Sequence, residues 1–188
     1  FQQEFANKNP GVQSSVNDII NKLDNRAKFF QDQYIALNPS PLGSKDELNQ
    51  VNLDFEYNSL HAKYHPFFRY YLKEFGFYDI FLVDANSGRI VYSVYKELDF
   101  ATSLKQGPYA NSGIAQAYQK ALTLPDADSA YVTDFSSYLP SYNAQASFAS
   151  TLIKDASGKT TGVSLVLVAR VKLILLVVIL RCDLMGVF

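Results

Sequence analysis

The sequence has no tryptophan, one methionine and one cysteine, Cys182. A single cysteine cannot form a disulfide within the chain, which excludes a small domain held together by internal disulfides. The net charge is −1, so no global positive field attracts nucleic acid or anionic lipid. The sequence also lacks a glycine-rich phosphate loop, a Gly-x-Ser-x-Gly elbow and a paired-cysteine motif. We therefore expect no catalytic residues, no cofactor and no nucleic-acid partner.

Long apolar runs are scarce as well. The longest uninterrupted run near the C-terminus is Leu173–Leu180, and charged residues flank it on both sides. A membrane-spanning helix needs about 20 predominantly apolar residues, so this run is too short as it stands. The segment is consistent with a buried strand, a buried helix, the start of a truncated transmembrane helix, or a cloning or reading-frame scar. The N-terminus carries no signal peptide, as expected of a domain excised from a longer protein.

Aromatic residues are abundant, with 13 tyrosines and 14 phenylalanines among 188 residues. Tyrosine suits small-ligand pockets, because its ring is flat and apolar and its hydroxyl forms hydrogen bonds. The alternative is that most of these rings simply form the core. Hydrophobic residues make up 48% of the chain and charged residues 19%, so the composition is that of a folded domain.

The first third of the chain has helical periodicity. Apolar residues recur every three or four positions over 10–37, which predicts one long helix of roughly 40 Å. Such a helix could form a stalk or a dimer seam, or it could pack lengthwise on its own domain. Ser44 and Glu47 then form a capping-box pattern before a second helix that carries Leu48 to Leu60. A third, short helix is predicted over 66–75, with Gly76 as its left-handed cap.

From residue 77 the pattern changes to that of strands. Five β-type runs alternate with turn residues and with one helix over 114–121, and the first two runs are joined by a tight turn at 84–89. The predicted strands are 78–83, 90–95, 130–135, 147–153 and 161–168. Strands grouped around one helix predict an α+β fold with an antiparallel sheet.

A set of short motifs resembles the single Cache (PAS-like) sensor domain of bacterial methyl-accepting chemotaxis proteins. The motifs lie at 38–43, 64–69, 76–84, 96–102, 107–109 and 134–142. The resemblance implies an α+β fold, in which a PAS-like antiparallel sheet of five or six strands lies behind a long N-terminal helix. It divides the chain into a helical stalk and second helix (1–63), a sensor core (64–170) and an atypical tail (171–188). Gln145, which stands where the family pattern has proline, and the tail itself depart from that pattern.

The resemblance also implies a function. It indicates the periplasmic ligand-binding domain of an inner-membrane chemoreceptor, anchored by transmembrane helices that flank it. Such a domain binds a small metabolite, such as a carboxylate or an amino acid, and signals by a helix shift across a homodimer. The alternatives are the sensor domain of a histidine kinase or of a cyclic-dinucleotide enzyme, a structural or interaction domain without a ligand, and a metal-dependent enzyme.

Two segments that leave strands combine polar and aromatic side chains and supply the predicted binding residues. Lys96 is expected to pair with a ligand carboxylate and Asp134 with a ligand ammonium, unless they form a structural salt bridge or a loop cap. Four tyrosines are expected to supply ring walls and hydroxyls: Tyr92, Tyr109, Tyr138 and Tyr142. Alternation along the second strand places Tyr92 and Val94 on one face, and Val91, Ser93 and Tyr95 on the other.

Two further patterns suggest metals only superficially. His61 and His65 have the i, i+4 spacing of a zinc site, but no glutamate lies between them, so helix capping or surface packing is the better interpretation. Residues 84–88 resemble part of a calcium loop but lack its downstream glutamate, and a hairpin turn explains them. We predict no metal ligands.

Overall fold

Runs of β-branched and aromatic residues build an antiparallel sheet of six strands. The structure, a computed structural model, describes Asn7 and residues 16–169. The strands are β1 (Asp79–Asp84), β2 (Ile90–Ser93), β3 (Tyr131–Val132), β4 (Ser136–Tyr138), β5 (Ala144–Lys154) and β6 (Thr160–Ala169). Their order is β2-β1-β6-β5-β3, with β4 also paired to β5, and every pairing is antiparallel. The predicted α+β fold with an antiparallel PAS-like sheet is confirmed.

The two faces of this sheet are covered by different helices. One face packs with helix α4 (Gly113–Ala121), which buries Ile114, Ala117 and Tyr118 against it. The other face packs with helix α3 (Glu56–Phe75), whose Leu72 contacts a second apolar cluster. Burial of apolar surface on both sides is the main force that holds the layers together.

The N-terminal helical region is not one continuous helix. Helix α1 (Val16–Asn21) ends before Leu23, and helix α2 (Asn25–Gln31) begins after it and continues as a π-helical turn, Asp32–Ala36. The break occurs because the Asp24 carboxylate accepts a hydrogen bond from Ala27 N at 2.8 Å and so starts a new helix. The single helix predicted over 10–37 is therefore wrong for 16–37, and positions 10–15 lie outside the described residues.

The apolar stripe of this region packs on its own domain. Ile19 joins the cluster beneath α4, while Leu23, Ala27, Tyr34 and Ile35 are buried in or beside a third cluster with Phe100. We predicted either a stalk or dimer seam, or lengthwise packing on the domain itself. Helices α1 and α2 pack on their own domain. A homodimer formed through this region stays a prediction.

Helix α3 runs through Pro66 without ending there. The sequence predicts two helices separated near His65, but one helix of 20 residues spans Glu56–Phe75, with Pro66 inside it. Proline removes one helical hydrogen bond, and the packing of the inner side of the helix offsets that loss, because Leu72 is buried in an apolar cluster and the buried Asn58 and His65 are hydrogen-bonded. The predicted helix over Leu48 to Leu60 is likewise wrong before Glu56. The domain boundary predicted after residue 63 falls within α3, and that division stays a prediction.

Helix ends and turns follow the sequence more closely. Gly76 ends α3 in the left-handed conformation at φ 65°, as predicted. Gly88 has φ 67° in the β1–β2 turn, where Asp84 Oδ1 accepts a hydrogen bond from Ser87 N at 2.6 Å. The capping box predicted at Ser44 is absent: a short 3₁₀ helix, Lys45–Glu47, begins there without a hydrogen bond from the Ser44 side chain. The tail predicted at 171–188 lies outside the described residues.

Candidate functional site

The irregular segment that follows β2 carries the most unusual polar groups of the described chain. Lys96, Glu97 and Asp99 are all at most 9% exposed, although charged side chains are seldom buried. Glu97 and Asp99, together with Asp79 of β1, form what we term the carboxylate cluster. Lys96, together with His61, His65 and Tyr92, forms what we term the histidine–lysine cluster. The two clusters involve opposite faces of the sheet.

Asp79 is fully hydrogen-bonded and has a structural role. Its Oδ1 accepts hydrogen bonds from the backbone N–H groups of Ile80 at 2.7 Å and Val94 at 2.9 Å, and Oδ2 accepts one from Ser93 Oγ at 2.8 Å. These bonds fix the chain where it leaves β2. Burial, with a smaller contribution from the charge of the neighbouring Asp99, raises the pKa of Asp79 to about 7.

Glu97 joins two parts of the chain that are distant in sequence. Its Oε2 accepts a hydrogen bond from Ser141 Oγ at 2.8 Å, and its Oε1 accepts one from Tyr78 OH at 3.2 Å. Ser141 belongs to the 3₁₀ turn Leu139–Ser141 between β4 and β5. Burial raises the pKa of Glu97 well above its ordinary value, and the charge of Asp99 adds to this effect.

Asp99 is the least satisfied member of the carboxylate cluster. Its Oδ2 accepts a short hydrogen bond of 2.5 Å from Tyr138 OH. Its Oδ1 is buried without a hydrogen-bond partner, and so is the hydroxyl of Tyr109. The Tyr109 ring lies 6.3 Å from that of Tyr138 and interacts electrostatically with both Asp99 and Glu97. An acceptor and a hydroxyl are thus buried near one another with hydrogen-bonding capacity unused, which folded proteins rarely allow.

The charge of the carboxylate cluster is not balanced by an ion pair among the described residues. The two ion pairs seen there join Arg69 to Asp46 and Arg89 to Asp24. Burial raises the pKa of Asp99 to about 6, and no cation counteracts this, although the Tyr138 hydrogen bond and, to a smaller extent, the backbone N–H groups of Asp99 and Phe100 lower the pKa. Within 16–169, no group of three or more His, Cys, Asp or Glu side chains is arranged to hold a metal ion.

The histidine–lysine cluster lies between α3 and the sheet. His65 Nε2 is 2.7 Å from the carbonyl oxygen of Asp46, which can only accept, so Nε2 carries the proton and Nδ1 accepts from Tyr92 OH at 2.7 Å. The His61 ring stacks on His65 at 4.4 Å. Burial lowers the pKa of His65 to about 4, in accord with a neutral ring. The predicted capping or surface role of His61 and His65 is therefore wrong, because both rings are buried.

Lys96 places its amine inside this second cluster. Its Nζ donates to the carbonyl oxygen of Val94 at 3.1 Å, and it lies 3.5 Å from His65 Nδ1 and 5.5 Å from the centre of the Tyr92 ring. Burial lowers the pKa of Lys96 to about 7. The Lys96 backbone has φ 54°, a conformation that costs energy for a residue other than glycine.

Hydrogen bonds and an ion pair also connect the N-terminal helical region to the segment that follows β2 and to Arg89 before β2. Gln31 Nε2 of α2 donates to the carbonyl oxygens of Leu98 and Phe100, at 2.8 Å each, on either side of Asp99. Arg89 donates to the carbonyl oxygen of Ala101 at 2.6 Å and pairs with Asp24 at 2.6 Å. The position of the Asp99 backbone therefore depends on α2.

The structure divides the six predicted binding residues among several places. Tyr109 and Tyr138 lie together beside Asp99, whereas Tyr92 and Lys96 lie together in the histidine–lysine cluster. Asp134 is exposed after β3, and Tyr142 is half-buried in a left-handed turn next to Ser141. Their role in binding stays a prediction.

Face assignments along β2 are largely as predicted. Tyr92 and Val94 share one apolar cluster, while Ser93 turns to Asp79 on the opposite side. Tyr95, predicted opposite to Tyr92, packs against the same cluster as Tyr92, because the strand ends at Ser93 and alternation ends with it.

Sequence reasoning did not select Glu97, Asp99, Tyr78 or Ser141 as binding residues. A signal for the first two was present, since two acidic residues spaced by one apolar residue directly follow a strand. The signal for Tyr78 and Ser141 was absent, because their meeting depends on long-range packing.

Comparisons with known proteins give structural similarities only. No family model and no curated protein matches the chain. A solved sensory box sensor histidine kinase from Vibrio cholerae is 16% identical, with a TM-score of 0.37, and the match covers 62% of this chain and 96% of that one. The ligand-binding domain of the Pseudomonas aeruginosa PAO1 amino acid chemoreceptor PctC, solved with GABA, is 21% identical, with a TM-score of 0.39. That match covers 83% of this chain and 61% of the chemoreceptor domain.

At these identities and TM-scores, neither comparison identifies a ligand, a partner or an output for this chain.

Proposed function

We propose that this chain is the extracytoplasmic ligand-binding domain of a bacterial transmembrane receptor, and that it binds a small metabolite beside Asp99, Tyr109 and Tyr138. Three buried side-chain polar atoms of the described residues lack a hydrogen-bond partner, and the most direct support is that two of them, Asp99 Oδ1 and Tyr109 OH, belong to this site, whereas the third, His61 Nε2, lies in the histidine–lysine cluster. A bound polar molecule would satisfy both atoms and remove a cost of about 1–3 kcal/mol for each.

The output we propose is that of a chemotaxis receptor, with a histidine kinase or a cyclic-dinucleotide enzyme as the alternative within the same class. The sensor-like motifs and the antiparallel sheet support the class, and the full-length gene would decide the output. Among the described residues, no helix is long and apolar enough to cross a membrane. In this proposal the flanking parts of the receptor provide the membrane anchors and the domain lies in the periplasm.

Signalling in this proposal passes through the contact between the site and α2. Because Gln31 holds the carbonyl groups on both sides of Asp99, a ligand that draws Asp99 towards itself would shift α2. A homodimer formed through the N-terminal helical region would carry that shift towards the membrane.

A thermal-shift screen against small metabolites tests this function, with amino acids, amines, carboxylates, sugars and nucleosides as separate panels. A true ligand at 100 times its Kd should stabilise the domain by about 2.7 kcal/mol. Calorimetric titration of each hit then gives its stoichiometry. Failure of every panel to stabilise the protein would favour a structural or interaction domain, in which Asp79 and Glu97 only hold the chain together.

A further inference from the structure

We propose that the site beside Asp99 recognises a ligand ammonium group rather than a ligand carboxylate, an inference that rests on the proposed function. The two unpaired polar groups of this site, which interact electrostatically, can both accept hydrogen bonds from a cation. Asp99 offers a free carboxylate oxygen, and Tyr109 offers a free hydroxyl that can accept as well as donate. Asp99 is fully buried and Tyr109 is 5% exposed, so bulk solvent does not reach either atom.

The charge around these atoms favours a cation. Glu97 and Asp79 are both buried and interact electrostatically with Asp99. An anionic ligand placed beside Asp99 would add negative charge to a group of buried acids whose pKa values burial already raises, with Asp99 adding to the effect at Asp79 and Glu97. An ammonium group would instead favour the ionised forms of these acids and could donate hydrogen bonds to Asp99 Oδ1 and Tyr109 OH.

The aromatic surroundings suit the same group. Tyr109 and Tyr138 lie with their ring centres 6.3 Å apart, and Phe148 packs edge-on against Tyr138 at 5.0 Å. Aromatic faces attract ammonium groups through their quadrupole, most strongly where water is excluded. The same rings provide an apolar wall for a short carbon chain.

The protein's own buried amine does not fill this role. Lys96 Nζ lies in the histidine–lysine cluster, hydrogen-bonded to Val94 O, and its electrostatic partners are Asp79 and Asp46. Lys96 is therefore also poorly placed to bind a ligand carboxylate beside Asp99. The positive charge missing from the Asp99 site would come from the ligand.

Matched compounds that differ only at one group test this inference. Thermal shift and calorimetry would compare ethylamine with ethanol, butylamine with 1-butanol, and L-alanine with L-lactate. We expect at least one amine to bind and its hydroxyl partner to bind about 10- to 100-fold more weakly, because a charge-assisted hydrogen bond is lost. Equal binding within every pair that binds, or binding of the hydroxyl compounds only, would overturn the inference.

Point variants then show which residues contact the bound amine. Asp99→Asn keeps the side-chain shape and removes the charge, so the best amine should bind about 10- to 100-fold more weakly. Tyr109→Phe removes only an unpaired hydroxyl and leaves the fold intact. It should weaken binding of the same amine by a smaller factor. Asp128→Asn, at an exposed carboxylate, is the matched control and should leave Kd unchanged.

The outcomes separate this inference from the proposed function. A ligand without an amine, found in the metabolite screen, would contradict the ammonium site and leave the sensor function standing. Loss of amine binding in Asp134→Asn, with Asp99→Asn unaffected, would move the site to the exposed carboxylate and overturn the inference. No stabilisation by any compound would contradict both.

Discussion

A buried carboxylate with an unused oxygen is costly to a folded protein, and Asp99 is such a group. Its environment combines complete burial, one tyrosine hydroxyl and two further carboxylates. A side chain that only stabilised the fold would be expected to use both oxygens, as Asp79 does. The contrast between these two aspartates is the physical basis for assigning binding to one and structure to the other.

Asp99→Asn should therefore alter how stability depends on pH. The folded-state pKa of Asp99, about 6, lies above the ordinary value of 3.8, so its folded form binds its proton more tightly than its unfolded form. In the wild type, the tighter binding of this proton contributes fully to the free energy of unfolding below pH 4, and the contribution is lost as the pH rises to 6. The stability of the variant relative to wild type should rise by on the order of 3 kcal/mol over that window.

Urea unfolding of both proteins at several pH values between 4 and 7 measures this difference. Asp79 and Glu97 titrate in both proteins, and loss of the Asp99 charge lowers their pKa values, so their contribution to the difference has the same sign as that of Asp99 itself. A difference that stays constant with pH would mean that Asp99 is not desolvated in the folded protein.

Lys96→Met should make the ligand-free domain more stable near neutral pH. The folded-state pKa of Lys96, about 7, lies below the ordinary value of 10.5, so the unfolded chain binds the proton more tightly. As the pH falls from 10.5 to 7, the wild type loses stability that the variant keeps, up to a few kcal/mol. The groups that face Lys96 are His61, His65, Tyr92, Asp79, Asp46 and Arg69.

Chemical unfolding at pH 7 and pH 10 checks this prediction. The advantage of Lys96→Met should shrink at the higher pH, because pH 10 lies close to the ordinary lysine pKa of 10.5 and deprotonation of the amine on folding then costs little. An advantage that grows towards pH 10 would contradict the buried position of the amine.

At the scale of elements, the loop that carries Asp99 is held by α2 through one side chain. Gln31→Ala would leave the carbonyl oxygens of Leu98 and Phe100 without their donor. We expect the free energy of unfolding to fall by about 2 kcal/mol, since two buried hydrogen bonds are lost. Gln33→Ala is the control, because Gln33 bonds only to the exposed neighbour Asp32. Equal stability of the two variants in urea unfolding would show that Gln31 does not hold the loop.

The regular elements were predictable because their signals are local. β-branched runs, the Asp-Ala-Asn-Ser-Gly turn and Gly76 each determine their own structure within a few residues. The break at Asp24 is also local, but the longer apolar periodicity obscured its capping signal. Continuation of α3 through Pro66 was not predictable, because it depends on packing of the helix against a sheet formed later in the chain.

The candidate site was predictable only in part for a related reason. Tyr109 and Tyr138 were selected as aromatic residues after strands, and they do lie beside a buried carboxylate. Which of several acidic residues would be buried could not be decided, since Asp99 and Asp134 follow strands in similar ways. Burial of Asp99 is set by the packing of α2 and of the β4–β5 turn, and both elements are distant from Asp99 in the sequence.

At the scale of the whole molecule, ligand binding at Asp99 should reduce local opening both in the loop that carries Asp99 and in helix α2. We expect the best-binding amine to slow amide hydrogen exchange in residues 97–102 and in α2, because Gln31 joins them. The exposed β5–β6 turn around Gly158 serves as an internal control and should exchange at the same rate. Slowing confined to residues 97–102 would mean that α2 does not respond to occupancy.

A crystal structure of the domain grown with the best-binding amine tests the central claim most directly. It should place the ligand nitrogen roughly 3 Å from Asp99 Oδ1 and within hydrogen-bonding reach of Tyr109 OH, between the rings of Tyr109 and Tyr138. A ligand bound elsewhere, with Asp99 Oδ1 occupied by an ordered water molecule, would contradict the assignment of this site.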